Sequence, residues 1–319
     1  MLEKLQSLKH LIGNTQLVSL EHDQVNLFTK LEYQNLSGSV KVRPAFYILE
    51  SAIKRGEIHG HSTVIESSSG NFAIALSTLC QWLGITFIPV IDPNINSIYE
   101  NVLLSLTDHV EKVIERDETN GFLLTRLQRV QDLLKTIPDS FWTNQYGNPD
   151  AVAGHYYGLG DEIARSFDEL DYVFLGVSSC GTIAGVSKRL KEKFPNIKVV
   201  AVDTEGSVIF GDKPRKRFIP GIGASLVPPN LKEAQIDEVI HISELDAIDG
   251  CHQMLKKHAL FVGGSSGSVF AGIQNYFQKK MFAKKPNVLF ICADGGMPYV
   301  NTVYNRNWVN ILRGQHIMA

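Results

Sequence analysis

Long apolar runs are missing from the 319-residue sequence, and no segment approaches the roughly 18 apolar residues that a membrane-spanning helix needs. The first residues, 1–6, carry charges at positions where a secretory signal requires an apolar core. We therefore expect a cytoplasmic protein that is not embedded in a membrane.

Cysteine is scarce, and its spacing includes no C-x-x-C pair. This usage predicts reduced thiols in the core and neither a disulfide framework nor a zinc site. His59 and His61 have the spacing of metal ligands, but no cysteine is near them in sequence, which favours a solvated turn between a helix and a strand. We expect no metal. The four cysteines are Cys80, Cys180, Cys251 and Cys292.

An excess of charge of either sign is also missing. The 31 basic residues nearly balance the 33 acidic ones, for a formal net charge of −2. Such a chain has no global field that would attract nucleic acid or an anionic membrane. The expected partners are small molecules or protein subunits.

Two phosphate-binding motifs that are common in α/β proteins do not occur. No G-x-G-x-x-G opens the first strand-helix unit, which disfavours a dinucleotide fold. Gly176 and Gly181 have the spacing of a Walker loop, but Thr182 stands where its lysine should be. This difference argues against a nucleoside triphosphatase.

Short β-branched runs alternate with longer helical patterns along the chain. Two of the runs, 199–202 and 288–292, are almost entirely apolar, as strands covered by helices on both faces must be. The alternation predicts an α/β chain with largely parallel sheets, and at this length roughly two domains. The other predicted strands are 63–65, 86–90 and 172–177, and the predicted helices are 71–83, 98–106 and 183–193.

Two interruptions of this pattern bear on domain organisation. A Gly-Asn-Pro sequence within 144–150 separates two helical patterns and marks a candidate domain boundary. The segment 210–229 is rich in glycine, proline and charge, and it is longer than an ordinary connection. It is therefore either a functional loop or a mobile one.

Lys41 follows a small Ser/Gly turn and precedes an apolar helical pattern over 45–53. A lysine in this position can present its amine to a cleft, where desolvation disfavours the ammonium form. The neutral amine can then bind an aldehyde cofactor and later act as a general base. Taken alone, Lys41 is more simply explained as a solvated surface lysine.

Three further loops rich in glycine and serine connect predicted strands to predicted helices. The loop 67–71 gathers hydroxyls and free backbone N–H groups at a helix start, which suits a carboxylate, although an ordinary serine N-cap gives the same pattern. The loop 176–182 suits close approach of a phosphate, with Ser178 and Thr182 as side-chain donors. The loop 263–268 precedes a helical pattern over 269–277.

Lys41 and these three loops, in this order, resemble the fold type II pyridoxal-phosphate enzymes of the cysteine synthase and cystathionine β-synthase family. The resemblance runs from 11–17 to about Tyr299. It implies two three-layer α/β/α domains with largely parallel sheets. The smaller domain, 42–147, is expected to be mobile and to carry the substrate carboxylate loop, and the larger domain, 1–41 and 148–319, to bind the phosphate of the coenzyme. The family also implies a homodimer.

The resemblance assigns the site residues as well. Lys41 is expected to hold pyridoxal 5'-phosphate and to move the α-proton of the substrate, and Asn71 to hydrogen-bond the ring hydroxyl. Ser265 is expected beside the pyridine nitrogen. A neutral hydroxyl there, instead of a carboxylate, makes the coenzyme ring a weaker electron sink, which suits β-elimination. The expected phosphate cup is Ser178, Ser179, Cys180, Gly181 and Thr182, and the expected carboxylate site is Ser67, Ser68 and Ser69.

The implied activity is β-replacement on an O-activated L-serine through an aminoacrylate intermediate. Within the family, the sequence is most similar to members that join O-phospho-L-serine to L-glutamate, which leads to 2,3-diaminopropionate for siderophores. Tyr146 and Ser179 stand where cysteine synthases usually have phenylalanine and threonine. The stretches that carry this similarity are 31–33, 125–126, 144–146, 206–214 and 220–225.

L-Glutamate brings two carboxylates, and these require hydrogen-bond donors. The expected donors for the second substrate are Arg126, Gln145, Tyr146 and Ser179, of which Arg126 would form charge-assisted bonds. An arginine on a helix is also commonly solvated. The basic run 213–217 is a candidate for neutralising a phosphoserine substrate, although charge runs usually lie on the surface.

Departures from the cysteine synthase pattern leave alternatives open. Phe72 stands where threonine is usual, Val42 replaces a common aspartate, and 294–297 differ from a frequent Ser-Gly-Glu-Arg pattern. These departures concern the substrate more than the cofactor, so a cysteine synthase or a β-eliminating lyase is an alternative. A non-catalytic coenzyme-binding or regulatory protein is a third, and the joint presence of Lys41, Asn71 and Ser265 argues against it.

Overall fold

A computed structural model of the chain describes residues 1–118 and 121–317, with side chains to 314. One sheet has six strands in the order β1-β2-β10-β7-β8-β9, numbered along the chain, and only the β1–β2 pair is antiparallel. Its strands are β1 (Leu17–Leu20), β2 (Asn26–Leu31), β7 (Tyr172–Gly176), β8 (Lys198–Thr204), β9 (Glu238–Ile242) and β10 (Asn287–Cys292).

A second sheet has four strands in the order β5-β4-β3-β6, and all its pairs are parallel. Its strands are β3 (Thr63–Ser67), β4 (Thr86–Ile91), β5 (Glu111–Lys112) and β6 (Ser140–Trp142). The expected α/β class with two largely parallel sheets is therefore confirmed. The four-stranded sheet falls inside the predicted range 42–147. The limits of the two domains and the mobility of the smaller one stay predictions. The predicted domains also include residues 119–120 and 318–319, which lie outside the described residues.

Alternate residues of each strand face different cores, so each sheet is the middle layer of three. Val173 and Leu175 pack in one cluster with α8, whereas Phe174 between them packs in another with α10. Val64 likewise packs with α2 and α3, and the adjacent Ile65 packs with α5. The helices of these layers are α2 (Val42–Arg55), α3 (Asn71–Leu83), α4 (Ser97–Leu106), α5 (Leu123–Thr136), α6 (Pro149–Gly154), α7 (Asp161–Ser166), α8 (Gly181–Lys193), α9 (Glu244–His258) and α10 (Gly264–Phe277).

Two further α-helices lie near the ends of the chain, α1 (Leu2–Gln6) and α11 (Arg306–Ile317). No helix in the described ranges is both long enough and apolar enough to cross a membrane. The four cysteines are buried with free thiols. His59 and His61 are exposed in a turn, and the described residues contain no cluster of acidic, histidine and cysteine side chains suited to a metal ion.

The predicted helix 71–83 coincides with α3, and the other predicted helices differ from the observed ones mainly at their starts. The patterns at 183–193 and 269–277 begin two and five residues earlier, at Gly181 and Gly264. Glycine and serine are acceptable there because N–H groups of the first turn need no intrahelical partner. The helices therefore extend back into the expected phosphate loop 176–182 and into the loop 263–268.

A buried ion-pair cluster fixes the start of α2, two residues after Lys41. Arg43 donates to both oxygens of Glu32 at 2.6 and 2.8 Å and to both oxygens of Glu162 at 2.8 and 2.9 Å. Lys30 donates to Glu162 at 2.9 Å. Because Glu32 follows β2 and Glu162 lies on α7, the cluster holds α2 to the six-stranded half of the molecule.

Burial alone would raise the pKa of Glu162, but the hydrogen bonds and charge of Arg43, together with Lys30, lower that pKa to about 2. A carboxyl group with a lowered pKa in the folded state stabilises the fold above its unfolded pKa. That contribution is lost as the pH falls through the folded-state value. The cluster should therefore weaken in strong acid.

We predict that Arg43→Met lowers the free energy of unfolding by about 3–5 kcal/mol, because it leaves Glu32 as a buried charge without a cationic partner and leaves Glu162 paired with Lys30 alone. Urea unfolding followed by circular dichroism measures this change. Lys54→Met is the matched control on the same helix, since its pair with Glu50 is half exposed and is worth about 0.5 kcal/mol or less. Equal losses for the two variants would contradict the structural weight given to Arg43.

Candidate active site

A cavity of about 650 Å³, including the solvent at its open mouth, lies where the carboxyl ends of β7 and β10 meet the first turns of α8 and α10. Ligands in α/β sheets commonly bind at such carboxyl ends. The cavity brings together seven residues that the sequence analysis singled out: Lys41, Asn71, Ser178, Ser179, Cys180, Thr182 and Ser265. The eighth, Gly181, lines an adjoining cavity of about 200 Å³ that Lys41, Gln145 and Ser179 also line.

Lys41 is the N-cap residue of α2 and is only partly accessible. Burial lowers the pKa of its amine, while the nearby carboxylate of Asp294 acts in the opposite direction. The amine is therefore neutral over a wider pH range than that of a solvated lysine. The sequence expectation that Lys41 faces a cleft matches this placement.

The turn before α8 forms one end of the cavity. Cys180 adopts a left-handed backbone conformation, with φ of 61°, and the first N–H groups of the 13-residue helix follow it. Ser178 donates to the carbonyl of Gly223 at 3.0 Å, and Thr182 lies 3.2 Å from His155 Nε2. Free N–H groups, the helix dipole and hydroxyls make this turn suitable for a phosphate.

The opposite side of the cavity is polar but not cationic. Ser265 is buried in the first turn of α10, and Asn71 begins α3. Asp294 accepts from Asn71 at 2.7 Å and is 2% exposed, and its Oδ1 has no hydrogen-bond partner within the described part of the chain. An enclosed amine, an anion-binding turn, an amide and a hydroxyl in one cavity fit pyridoxal phosphate.

The loop after β3 offers hydroxyls next to this cavity. Ser68 accepts from the N–H of Ala73 at 3.2 Å, and Ser69 accepts from Arg126 at 2.9 Å. The hydroxyl of Ser67 is fully buried and makes no hydrogen bond to any described residue. The loop thus keeps donor capacity at the start of α3.

Arg126 reaches this loop from α5 rather than lying in solvent. The Nε atom of Arg126 is 3.3 Å from Oδ2 of Asp92. This nitrogen is buried and makes no well-oriented hydrogen bond to any described residue. Gln145 donates to the carbonyl of Ser67 at 3.2 Å. Burial raises the pKa of the Tyr146 hydroxyl, and the nearby charge of Arg126 opposes this shift. Arg126 and Gln145 therefore contact the loop after β3, and Tyr146 is close enough to Arg126 to feel its charge.

Glu66, directly before the loop, was not anticipated as part of the site. It is fully buried, accepts from Thr143 at 2.5 Å and from the N–H of Gln145 at 3.2 Å, and burial raises its pKa. The carboxylate thereby ties the end of β3 to the turn after β6. The available signal was a single charged residue in a strand, directly after two apolar residues.

The basic run 213–217 divides into two parts. Lys213, Arg215 and Lys216 are exposed, whereas Arg217 is half-buried and donates to the Gly206 carbonyl and, at 2.8 Å, to Ser225. The segment 210–228 contains no helix or strand within the described ranges. The contacts of Arg217 attach the middle of this segment to Gly206, which precedes the segment, and to Ser225, near its end.

Comparison with known proteins identifies the family. Residues 8–294 match the family described as "Pyridoxal-phosphate dependent enzyme". Two curated relatives, from Ralstonia nicotianae and Cupriavidus metallidurans, are named N-(2-amino-2-carboxyethyl)-L-glutamate synthase. Each is 42% identical to this chain over 304 residues, which cover 93% of this chain and 89% of the relative.

Solved structures agree with this assignment. An O-acetylserine dependent cystathionine β-synthase from Helicobacter pylori has a TM-score of 0.85 at 28% identity, covering 93% of this chain and 98% of its own. A hydrogen sulfide-producing enzyme from Fusobacterium nucleatum has a TM-score of 0.87 at 28% identity, covering 98% and 96%. The chain belongs to the fold type II family of pyridoxal-phosphate dependent enzymes.

Proposed function

We propose that this protein catalyses β-replacement between O-phospho-L-serine and L-glutamate, giving N-(2-amino-2-carboxyethyl)-L-glutamate for 2,3-diaminopropionate biosynthesis. The C–O bond at Cβ of the serine breaks and releases phosphate, and a C–N bond forms to the amino nitrogen of glutamate, which loses a proton. The observation that carries this proposal is the position of Arg126, 2.9 Å from the hydroxyl of Ser69. The names of the two relatives at 42% identity support the same product.

Pyridoxal phosphate, when bound, supplies an aldehyde that captures amino groups and an electron sink that weakens bonds at Cα and Cβ. Lys41 would hold its aldehyde carbon, and Asn71 its ring hydroxyl. Ser265 would lie beside the ring nitrogen. The phosphate would rest on the turn formed by Ser178, Ser179, Cys180, Gly181 and Thr182.

Lys41 is also the proposed general base. Burial favours its neutral amine, which can accept the proton from Cα of the substrate. The resulting ammonium group is stabilised by the carboxylate of Asp294, which lines the same cavity. The pair thus provides both a base before proton transfer and a counter-ion after it.

Carboxylate recognition is assigned to two adjacent donor groups. Ser67, Ser68 and Ser69, with the free N–H groups of α3, are proposed to bind the α-carboxylate of the first substrate. Arg126 is proposed to bind a carboxylate of glutamate, assisted by the amide of Gln145 and the hydroxyls of Tyr146 and Ser179. A single compact nucleophile such as sulfide would have no use for the second group.

The basic residues of 213–217 are proposed to neutralise the phosphate of the first substrate, which makes 210–229 a functional loop. The smaller domain, 42–147, is proposed to move toward the larger one and to exclude water. Polar contacts between the two halves include Asn96 with the carbonyl of Pro298, at 2.6 Å, and Asn230 with the carbonyl of Gln145, at 2.9 Å. Family membership supports a cytoplasmic homodimer as the working state.

We predict that the Lys41 amine of the coenzyme-free protein titrates below pH 10.5, the ordinary value for lysine, because burial disfavours the ammonium form. Asp294→Asn should lower this pKa further, since the carboxylate favours the charged amine. Reductive methylation with ¹³C-formaldehyde and NMR titration measure both values. A Lys41 signal with an ordinary pKa would show that the amine is solvated.

We predict that purified protein loaded with pyridoxal phosphate converts O-phospho-L-serine and L-glutamate to N-(2-amino-2-carboxyethyl)-L-glutamate, identified by mass spectrometry. O-Acetyl-L-serine tests the leaving group, and sulfide in place of glutamate tests the nucleophile. Cysteine formed with sulfide, without the glutamate adduct, would support a cysteine synthase instead. Pyruvate alone would support a β-eliminating lyase.

We predict that Arg126→Ala and Tyr146→Phe each raise the KM for L-glutamate at least tenfold, because each removes a donor to a carboxylate and such bonds are worth about 1.5–3 kcal/mol. The visible absorbance of the coenzyme should be unchanged. Arg129→Ala is the matched control, since this arginine lies on the same helix and pairs with Glu111 at 2.8 Å. Loss of coenzyme in the Arg126 or Tyr146 variants would refute their assignment to the second substrate.

A further inference from the structure

Both polar atoms of the Asn71 side-chain amide make hydrogen bonds. The partners are residues that the proposed mechanism does not place in contact with the coenzyme ring. The Oδ1 atom of Asn71 accepts from the hydroxyl of Tyr99 at 2.6 Å, and its Nδ2 donates to Oδ2 of Asp294 at 2.7 Å. The same carboxylate oxygen also accepts from Tyr299 at 2.8 Å. Tyr99, Asp294 and Tyr299 are all buried, with 8%, 2% and 2% exposure.

These bonds allow only one orientation of the amide. Burial raises the pKa of Asp294, but its Oδ2 accepts from both Asn71 and Tyr299 and therefore has no hydrogen to donate. A flipped amide would bring its carbonyl oxygen against this acceptor. A donor–acceptor contact of 2.7 Å would then become an acceptor–acceptor contact. Asp294 therefore fixes the position of Nδ2, and the Tyr99 hydroxyl stabilises Oδ1 on the other side.

The second N–H bond of the Asn71 amide is left for another partner. An amide nitrogen carries two hydrogens, of which Asp294 receives one, and Asn71 lines the large cavity together with Lys41 and Asp294. A ring oxygen placed against Asn71 would therefore meet an N–H donor rather than a carbonyl oxygen. A donor at this position stabilises the ionised form of a phenol-like hydroxyl.

We propose that Tyr99 and Asp294 are positioning residues that orient the Asn71 amide so that it donates to the ring oxygen of the coenzyme. The inference rests on the proposed placement of the coenzyme ring against Asn71. It adds Tyr99, on α4, to the active site, and it gives Asp294, after β10, a second role that acts through Asn71.

The two positioning residues come from different halves of the molecule. Tyr99 and Asn71 belong to the helices of the four-stranded sheet, and Asp294 and Tyr299 follow the last strand of the six-stranded sheet. Asn96, three residues before Tyr99, donates to the carbonyl of Pro298, adjacent to Tyr299. The orientation of the Asn71 amide therefore depends on contact between the segment 96–99 and the segment 294–299.

Tyr99→Phe tests the inference with little disturbance of packing, because it removes only the hydroxyl. We expect the absorbance of the bound coenzyme to shift from the long-wavelength band of the ionised ring oxygen toward the shorter-wavelength band of the neutral hydroxyl. Coenzyme affinity, measured by titration of the coenzyme-free protein, should fall roughly threefold to tenfold. Asp294→Ala should give the larger spectral shift, and adding Tyr99→Phe to it should have little further effect.

Two control variants separate orientation from general stability. Tyr276→Phe removes a tyrosine hydroxyl that bonds Glu238 at 2.9 Å, on β9 of the large sheet, and it should leave the spectrum unchanged. Asp294→Asn can place a carbonyl oxygen where Asn71 and Tyr299 both donate, so it should retain more of the long-wavelength band than Asp294→Ala. If Asp294→Ala does not fold, Tyr99→Phe and Asp294→Asn decide the question.

The inference would be overturned if the Tyr99→Phe variant had the spectrum and the coenzyme affinity of the wild type. It would also be overturned if this variant lost thermal stability without any change in its spectrum. The second result would assign Tyr99 a purely structural role. The wild-type protein distinguishes this failure from that of the proposed function. If wild-type protein never acquires a coenzyme band, the proposed function fails as well, whereas a coloured wild type with an unaffected Tyr99 variant rejects only the positioning role.

Discussion

The ion pairs of Arg43 are the constraint on which the geometry of the site depends. Lys41 lies at the N-cap of α2, and its position is defined only if the first turn of that helix is fixed. Arg43 fixes it by double hydrogen bonds to Glu32 and Glu162, which belong to the six-stranded half. A buried arginine between two carboxylates tolerates little displacement, because each lost bond leaves an uncompensated charge. The backbone of Lys41 is therefore fixed at the edge of the cavity that its side chain lines.

The remaining parts of the site follow from two parallel sheets whose strand ends meet. The turn at Cys180 and the first turn at Ser265 come from the larger sheet, and the loop 67–69 comes from the smaller one. Side-chain amides connect the two halves, as Asn71 does to Asp294 and Asn230 does to Gln145. Such contacts are directional but individually weak. Together with the ion pairs of Arg43, they define the geometry of the site.

Local signals in the sequence predicted much of this arrangement. Apolar strand runs and glycine- and serine-rich turns depend on neighbours along the chain, so the α/β class, the helix α3 and the cavity around Lys41 followed from pattern and family resemblance. Groups defined by contacts distant in sequence did not. Glu66 appeared only as one charge in a strand, and Asp294 only as a departure from a related pattern. The inward position of Arg217, beside four exposed neighbours, likewise depends on Gly206 and Ser225 rather than on the run itself.

Covalent attachment of the coenzyme at Lys41 is the central claim, and chemical trapping tests it most directly. Borohydride reduction of the protein loaded with pyridoxal phosphate, followed by digestion and peptide mass spectrometry, identifies the modified lysine. We expect the coenzyme mass on the peptide that contains Lys41. Lys30 should stay unmodified, because its amine is already engaged by Glu162 and by the carbonyl of Thr15. A label on a different lysine, or no label at all, would contradict the assignment of this cavity as the active site.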